Sequence, residues 1–203
     1  MRSRVRKILR RMVVLMCICG TVLCAGLMPV SAYELFPGKL EGGIYFRTYA
    51  IERNSAFTDS AVQAFDDWNW VLNPDNNGEG VDFYFYRISS AEEIEDLSKK
   101  AVIYIYGITD PQASYEGITH FFRGNEIEPN QNYEHCHIAI NESRIPTSNY
   151  FENMRKTINH EIGHCVGLAH NESDNGTIMY PYLTRTAHSP TLDDITGVRA
   201  KYS

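Results

Sequence analysis

The chain has no internal repeats, no low-complexity tract and no long linker, which excludes solenoid arrays and disordered arms. Positive charge is scarce beyond the start: of 19 Lys and Arg residues, six (Arg2, Arg4, Arg6, Lys7, Arg10 and Arg11) lie in the first eleven positions. The apolar stretch Met12 to Leu27 runs about 16 residues, short of the ~20 that a spanning helix needs. With Val30-Ser31-Ala32 after it, this start reads as a signal peptide over residues 1–32, cleaved after Ala32. An uncleaved anchor is the rival reading, and lipidation at Cys24 is disfavoured by the bulky Leu23 before it. Cysteine is also rare. Cys17, Cys19 and Cys24 fall in the leader, and only Cys136 and Cys165 remain, an even pair for an oxidising compartment.

Residues 33–203 then carry 13 basic against 25 acidic side chains, a formal charge of −12. That balance argues against nucleic acid or an anionic membrane surface as a partner. It suits calcium or a cationic substrate, with a solvated acidic surface as the plainer explanation. The 171 residues suffice for one domain with a sizeable core, and a secreted monomer is expected.

What is present is concentrated in one run, His160-Glu161-Ile162-Gly163-His164-Cys165-Val166-Gly167-Leu168-Ala169-His170, of the form H-E-x-x-H-x-x-G-x-x-H. His160 and His164 are one helical turn apart on one face and can share a metal ion. Gly167 can take the left-handed conformation that ends the helix, letting the chain return His170 as a third nitrogen ligand. Three neutral imidazoles leave a tetrahedral Zn2+ one open position, the arrangement of a catalytic site. Glu161, beside the first ligand, is placed to act as a base toward a water there.

Around this run the pattern is α/β. Ile44 to Tyr49 reads as a strand, and Phe57, Ala61, Ala64, Phe65, Trp68, Val71 and Leu72 recur at helical spacing over about 56–73. Residues 81–86 and 101–106 read as strands, and 107–134 show no clear pattern. Cys136, Ile138 and Ile140 share one strand parity, and His135 and His137 the other. The zinc helix is expected over about 150–166 with Ser148 or Thr147 as its cap. Thr191 and Asp194 form a capping box for a last helix ending near Tyr202. The expected architecture is α/β (α+β): a twisted mixed sheet with two long helices and a C-terminal helix.

The His160–His170 run followed by Met179-Tyr180-Pro181 resembles the metzincin metalloproteases, and Met-Tyr-Pro with Thr191 to Gly197 resembles their matrixin branch. The resemblance implies one domain over 33–203 that hydrolyses peptide bonds of a protein or peptide substrate. Zn2+ would be held by His160, His164 and His170, with Glu161 as catalytic base. It implies Met179 as the apolar Met-turn residue beneath the imidazoles, and a substrate pocket bordered by Tyr180, Pro181, Tyr182 and Leu183. No Pro-Arg-Cys-Gly element of the matrixin latency type occurs. Ca2+ is a second candidate cation. A zinc-stabilised binding protein without turnover is the alternative from another class, which the intact Glu161 argues against.

Three further features stand outside the run. His120, His135 and His137 form a second histidine group that could hold another metal. Cys136 on the core parity of its strand and Cys165, rotated about 100° from His164 on the helix, are expected to form a disulfide. Asn141, Asn171 and Asn175 each begin an N-x-S/T glycosylation pattern.

Overall fold

The computed structural model describes residues 33–41, 45–51, 55–72, 82–88 and 103–203, all within the unit Ala32–Ser203. The expected signal peptide lies outside them. Among these residues no helix is long and apolar enough to cross a membrane.

The elements in chain order are β1 (Tyr45–Ile51), α1 (Ser55–Leu72), β2 (Asp82–Ile88), β3 (Ile103–Ile108), β4 (Gly117–Arg123), β5 (Asn125–Ile127), β6 (His135–Asn141), a 3-10 turn (Glu142–Arg144), α2 (Tyr150–Cys165) and α3 (Leu192–Tyr202). They build a six-stranded sheet in the order β2-β1-β3-β6-β4-β5. β1 pairs in parallel with β2 and β3, and β3 in parallel with β6. β4 runs antiparallel to both β6 and β5. The expected twisted mixed sheet with two long helices and a C-terminal helix is therefore present.

Strand alternation sorts the side chains. Ile103 and Ile105 of β3 and Cys136, Ile138 and Ile140 of β6 are buried in the core shared with the helices. Tyr104, Tyr106, His135 and His137 are half-buried. The apolar stripe of α1, Phe57, Ala61, Ala64, Phe65, Trp68 and Leu72, is no more than 1% exposed. α1 is fastened to α2 by polar contacts as well. Arg155 donates from Nε and Nη2 to the two Asp67 oxygens at 2.8 and 2.7 Å. Asn159 Nδ2 adds a third bond to Asp67 at 2.8 Å, and Trp68 Nε1 donates to the Asn159 carbonyl at 3.0 Å. The helix that carries the histidine run is thus held rigidly against the core.

Two expectations change. Neither Thr147 nor Ser148 caps α2; the cap position is Asn149, in the left-handed conformation at φ 54°, which Asn tolerates better than most residues. Ser148 offers its carbonyl, not its hydroxyl, to Asn153 Nδ2 at 2.8 Å. The unassigned stretch 107–134 contains β4 and β5, whose Gly and polar residues conceal the strand pattern. α3 starts as expected: Thr191 N–H donates to Asp194 at 2.8 Å within a capping box.

Candidate active site

α2 presents His160, Glu161 and His164 in its last turns, and all three are buried. Val166 and Gly167 end the helix. The Val166 N–H donates to the Ile162 carbonyl and the Gly167 N–H to that of His164, with Gly167 at φ 94°. A side chain there would be strained, and this turn sends His170 back toward the other two imidazoles. The N-terminal segment braces the return: Phe36 N–H donates to the Gly167 carbonyl and Ala169 N–H to that of Glu34.

The ring nitrogens state their own tautomers. His160 Nδ1 meets the Ile178 carbonyl at 2.8 Å and His164 Nδ1 meets the Leu168 carbonyl at 2.9 Å. A carbonyl only accepts, so each Nδ1 carries the proton and each Nε2 keeps its lone pair. His170 Nε2 lies 3.2 Å from both His160 Nε2 and His164 Nε2. The His160 and His164 lone pairs thus converge on His170 Nε2, an arrangement that a cation held between the three rings would satisfy. Burial lowers all three imidazole pKa values, well below the usual range for His160 and to about 3 for His164, where His170 adds to the effect. Neutral imidazoles are the form that binds a metal. The donor set fits zinc: three nitrogens, second-side hydrogen bonds that orient two of the rings, and a cleft on the fourth side. Among the described residues these three histidines are the one group of three or more His, Cys, Asp or Glu able to share an ion.

Met179 sits where the resemblance places it. It is buried, and its Sδ fills the space that a Cβ on Gly163 would need, so the thioether lies directly on the helix between the two ligands. The Met179 carbonyl accepts from Asn171 N–H at 2.9 Å. Asp194 of α3 accepts from Ile178 N–H at 3.1 Å and ties this loop to the last helix.

Glu161 is 4% exposed. Burial raises its carboxyl to about 7, against the opposing pull of the Thr119 hydroxyl and the Arg185 charge. Thr119 Oγ1 lies 2.7 Å from Glu161 Oε2, and Gly117 leaves the space that Glu161 Oε1 occupies. The histidines, Glu161 and Thr119 line a cleft of about 630 Å³.

Of the four expected pocket residues, Pro181, Tyr182 and Leu183 line this cleft and Tyr180 does not. The Tyr180 ring packs on Tyr182 at 5.6 Å, and its carbonyl accepts from Arg185. Thr119, Thr157, Glu116 and Arg185 also line the cleft, and none of them stands out in the sequence. Thr119 comes from the concealed strand β4, Glu116 and Arg185 from irregular segments, and Thr157 from α2 one turn before Glu161, and no local pattern marks any of them.

Other expectations are corrected. Cys136 and Cys165 are adjacent but both are free thiols, not a disulfide. Burial and a hydrogen bond with Cys136 push the Cys165 thiol well up, away from the reactive thiolate form. The second histidine group assembles no metal site. His120 Nδ1 pairs with Glu126 at 2.6 Å and His135 stacks on Phe122, and among the described residues these histidines do not belong to any group of three or more whose ligand atoms come together. Calcium likewise finds no cluster of carboxylates among the described residues. Asn141 and Asn171 are buried and cannot carry a glycan; Asn175 is exposed.

A matrixin family model matches residues 48–203. The chain belongs to the matrixin family. Membership carries the coarse activity with it, that of a zinc-dependent metalloprotease acting on peptides. The matrixin fold here is similar to a chain in the GM1-bound form of the ECX AB5 holotoxin, with a TM-score of 0.50 and 18% identity over 85% of this chain and 89% of that one. At that identity the likeness concerns the fold alone. Metalloproteinase-II from Bacteroides fragilis aligns with a TM-score of 0.46 and 12% identity, over 82% of this chain and 56% of the other. No curated protein matches the sequence.

Proposed function

We propose that this matrixin is an exported endopeptidase that works as a monomer, with His160, His164 and His170 as zinc ligands and Glu161 as the base. The observation that carries this reading is the convergence of three imidazole Nε2 atoms beside a buried carboxylate in an open cleft. A zinc ion held there would supply Lewis acidity to the scissile carbonyl and acidify a water.

The chain's own residues do the rest. Thr119 engages Glu161 Oε2, which leaves Oε1 to take a proton from the attacking water. Burial makes the Glu161 carboxylate a stronger base than an exposed one, suited to take that proton from the water and to give it up again to the leaving amine. The substrate backbone has a place to align. β5 pairs with β4 only over Phe121–Arg123, so residues 117–120 of β4 have no neighbouring strand on that side among the described residues. An extended peptide can add its main-chain hydrogen bonds there. Export rests on the leader: the basic start, apolar stretch and Val30-Ser31-Ala32 site.

The test is metal analysis of residues 33–203 together with cleavage of a denatured protein, with and without a zinc chelator. One zinc per chain and chelator-sensitive, zinc-restored cleavage are expected. One zinc without cleavage would instead indicate a binding protein.

A further inference from the structure

Arg185 is the cation that the proposed chemistry does not use. It is 4% exposed yet lines the cleft together with Glu161, Thr157 and Leu183. Its Nε donates to the Tyr180 carbonyl at 3.0 Å and its Nη1 to the Lys156 carbonyl at 3.1 Å. Lys156 is one helical turn before His160, and Tyr180 directly follows Met179. The guanidinium is therefore clamped between the zinc helix and the segment leaving the Met-turn, at the wall of the cleft. No carboxylate pairs with it among the described residues, and Nη2 makes no hydrogen bond there.

A buried guanidinium with no carboxylate in ion-pair contact is costly, and the Glu161 and Glu116 charges support it only from beyond that contact distance. Its two backbone carbonyls offset part of that cost but cannot neutralise it. Burial lowers the Arg185 pKa only to about 10, with the Glu161 and Glu116 charges holding it up, so the side chain stays protonated at neutral pH. A fixed guanidinium with an unused face suits one partner above others, a carboxylate.

We propose that Arg185 makes the cleft selective for substrates with a Glu or Asp side chain flanking the cleaved bond. The inference rests on the peptidase reading of the same site. It runs against the bulk charge, since the chain's net acidity disfavours acidic peptides at long range. A contact inside the cleft is less screened than that surface field and sets the choice between matched peptides.

The test uses zinc-loaded protein and one peptide scaffold with Glu, Gln or Leu at each position flanking the cleaved bond. Glu should exceed Gln in kcat/KM by about tenfold or more, because Gln has the same shape without the charge. Arg185→Met should abolish that ratio and Arg185→Lys should keep part of it. Arg185 also holds two carbonyls, so fold and zinc content of each variant are measured first. A second arm needs neither variant nor turnover: fluorescence titration of the same peptides into zinc-loaded Glu161→Gln protein, in which the Glu peptide should bind about tenfold more tightly than the Gln peptide. Equal binding and cleavage of Glu and Gln peptides, or a preference for Leu, overturns the assignment and leaves the peptidase reading standing. Absence of cleavage of every peptide overturns the peptidase reading, and the titration then decides the Arg185 assignment by itself.

Discussion

Thr119 Oγ1 on β4 lies 2.7 Å from Oε2 of Glu161 on α2, and 3.2 Å from the Glu161 carbonyl. One hydroxyl thus links the strand on one side of the cleft to the carboxylate and the backbone on the other. Its hydrogen bond fixes which Glu161 oxygen is free.

Thr119→Val should therefore lower kcat by about tenfold or more while KM changes little, because a misplaced base loses rate and not affinity. Thr119→Ser, which keeps the hydroxyl, should restore most of it. Steady-state kinetics at matched zinc content checks this. Equal kcat for the Val and Ser variants would show that Thr119 does no more than fill space.

The cysteine pair gives a second expectation. Cys136 and Cys165 are both fully buried, and the Cys165 thiol is pushed well up by burial and by Cys136. Native protein should resist thiol reagents, and denatured, unreduced protein should take up two alkyl groups on these residues. A mass two hydrogens lower with no alkylation would restore the disulfide.

The contrast between what was legible in the sequence and what was not follows the range of the interactions. His160, His164, Gly167 and His170 act within eleven residues, and Thr191 with Asp194 within four, so local motif and capping spacing expose them. Thr119 reaches Glu161 across 42 residues, and Arg185 reaches the Lys156 carbonyl across 29. Only tertiary packing creates those contacts. The cysteines show a subtler limit. Strand parity and helix rotation put both on the core side, as the structure confirms, but facing the core does not establish a bond between them.

Acid should weaken the fold through the half-buried strand histidines. Burial, then the neighbouring imidazoles of His135 and His120, lower the His137 pKa against the pull of Glu126, and burial also lowers that of His135. A histidine whose folded pKa lies below its unfolded value favours the fold while neutral. That contribution is present above about 6.5 and is lost as pH falls through and below that value. His137 Nε2 is also buried without a hydrogen-bond partner. His137→Phe should therefore flatten the fall in denaturation midpoint between pH 7.5 and 5 relative to the parent, with zinc saturating in both. An unchanged slope would remove His137 from the account.

The most direct measurement is turnover of Glu161→Gln beside the parent protein, with zinc content determined in each. The amide is nearly the same shape, so the account predicts one zinc per chain in both, the same fold, and a loss of cleavage on the order of 10²–10⁴-fold. Cleavage within about tenfold of the parent at equal zinc content would contradict it, since another group would then have to take the proton.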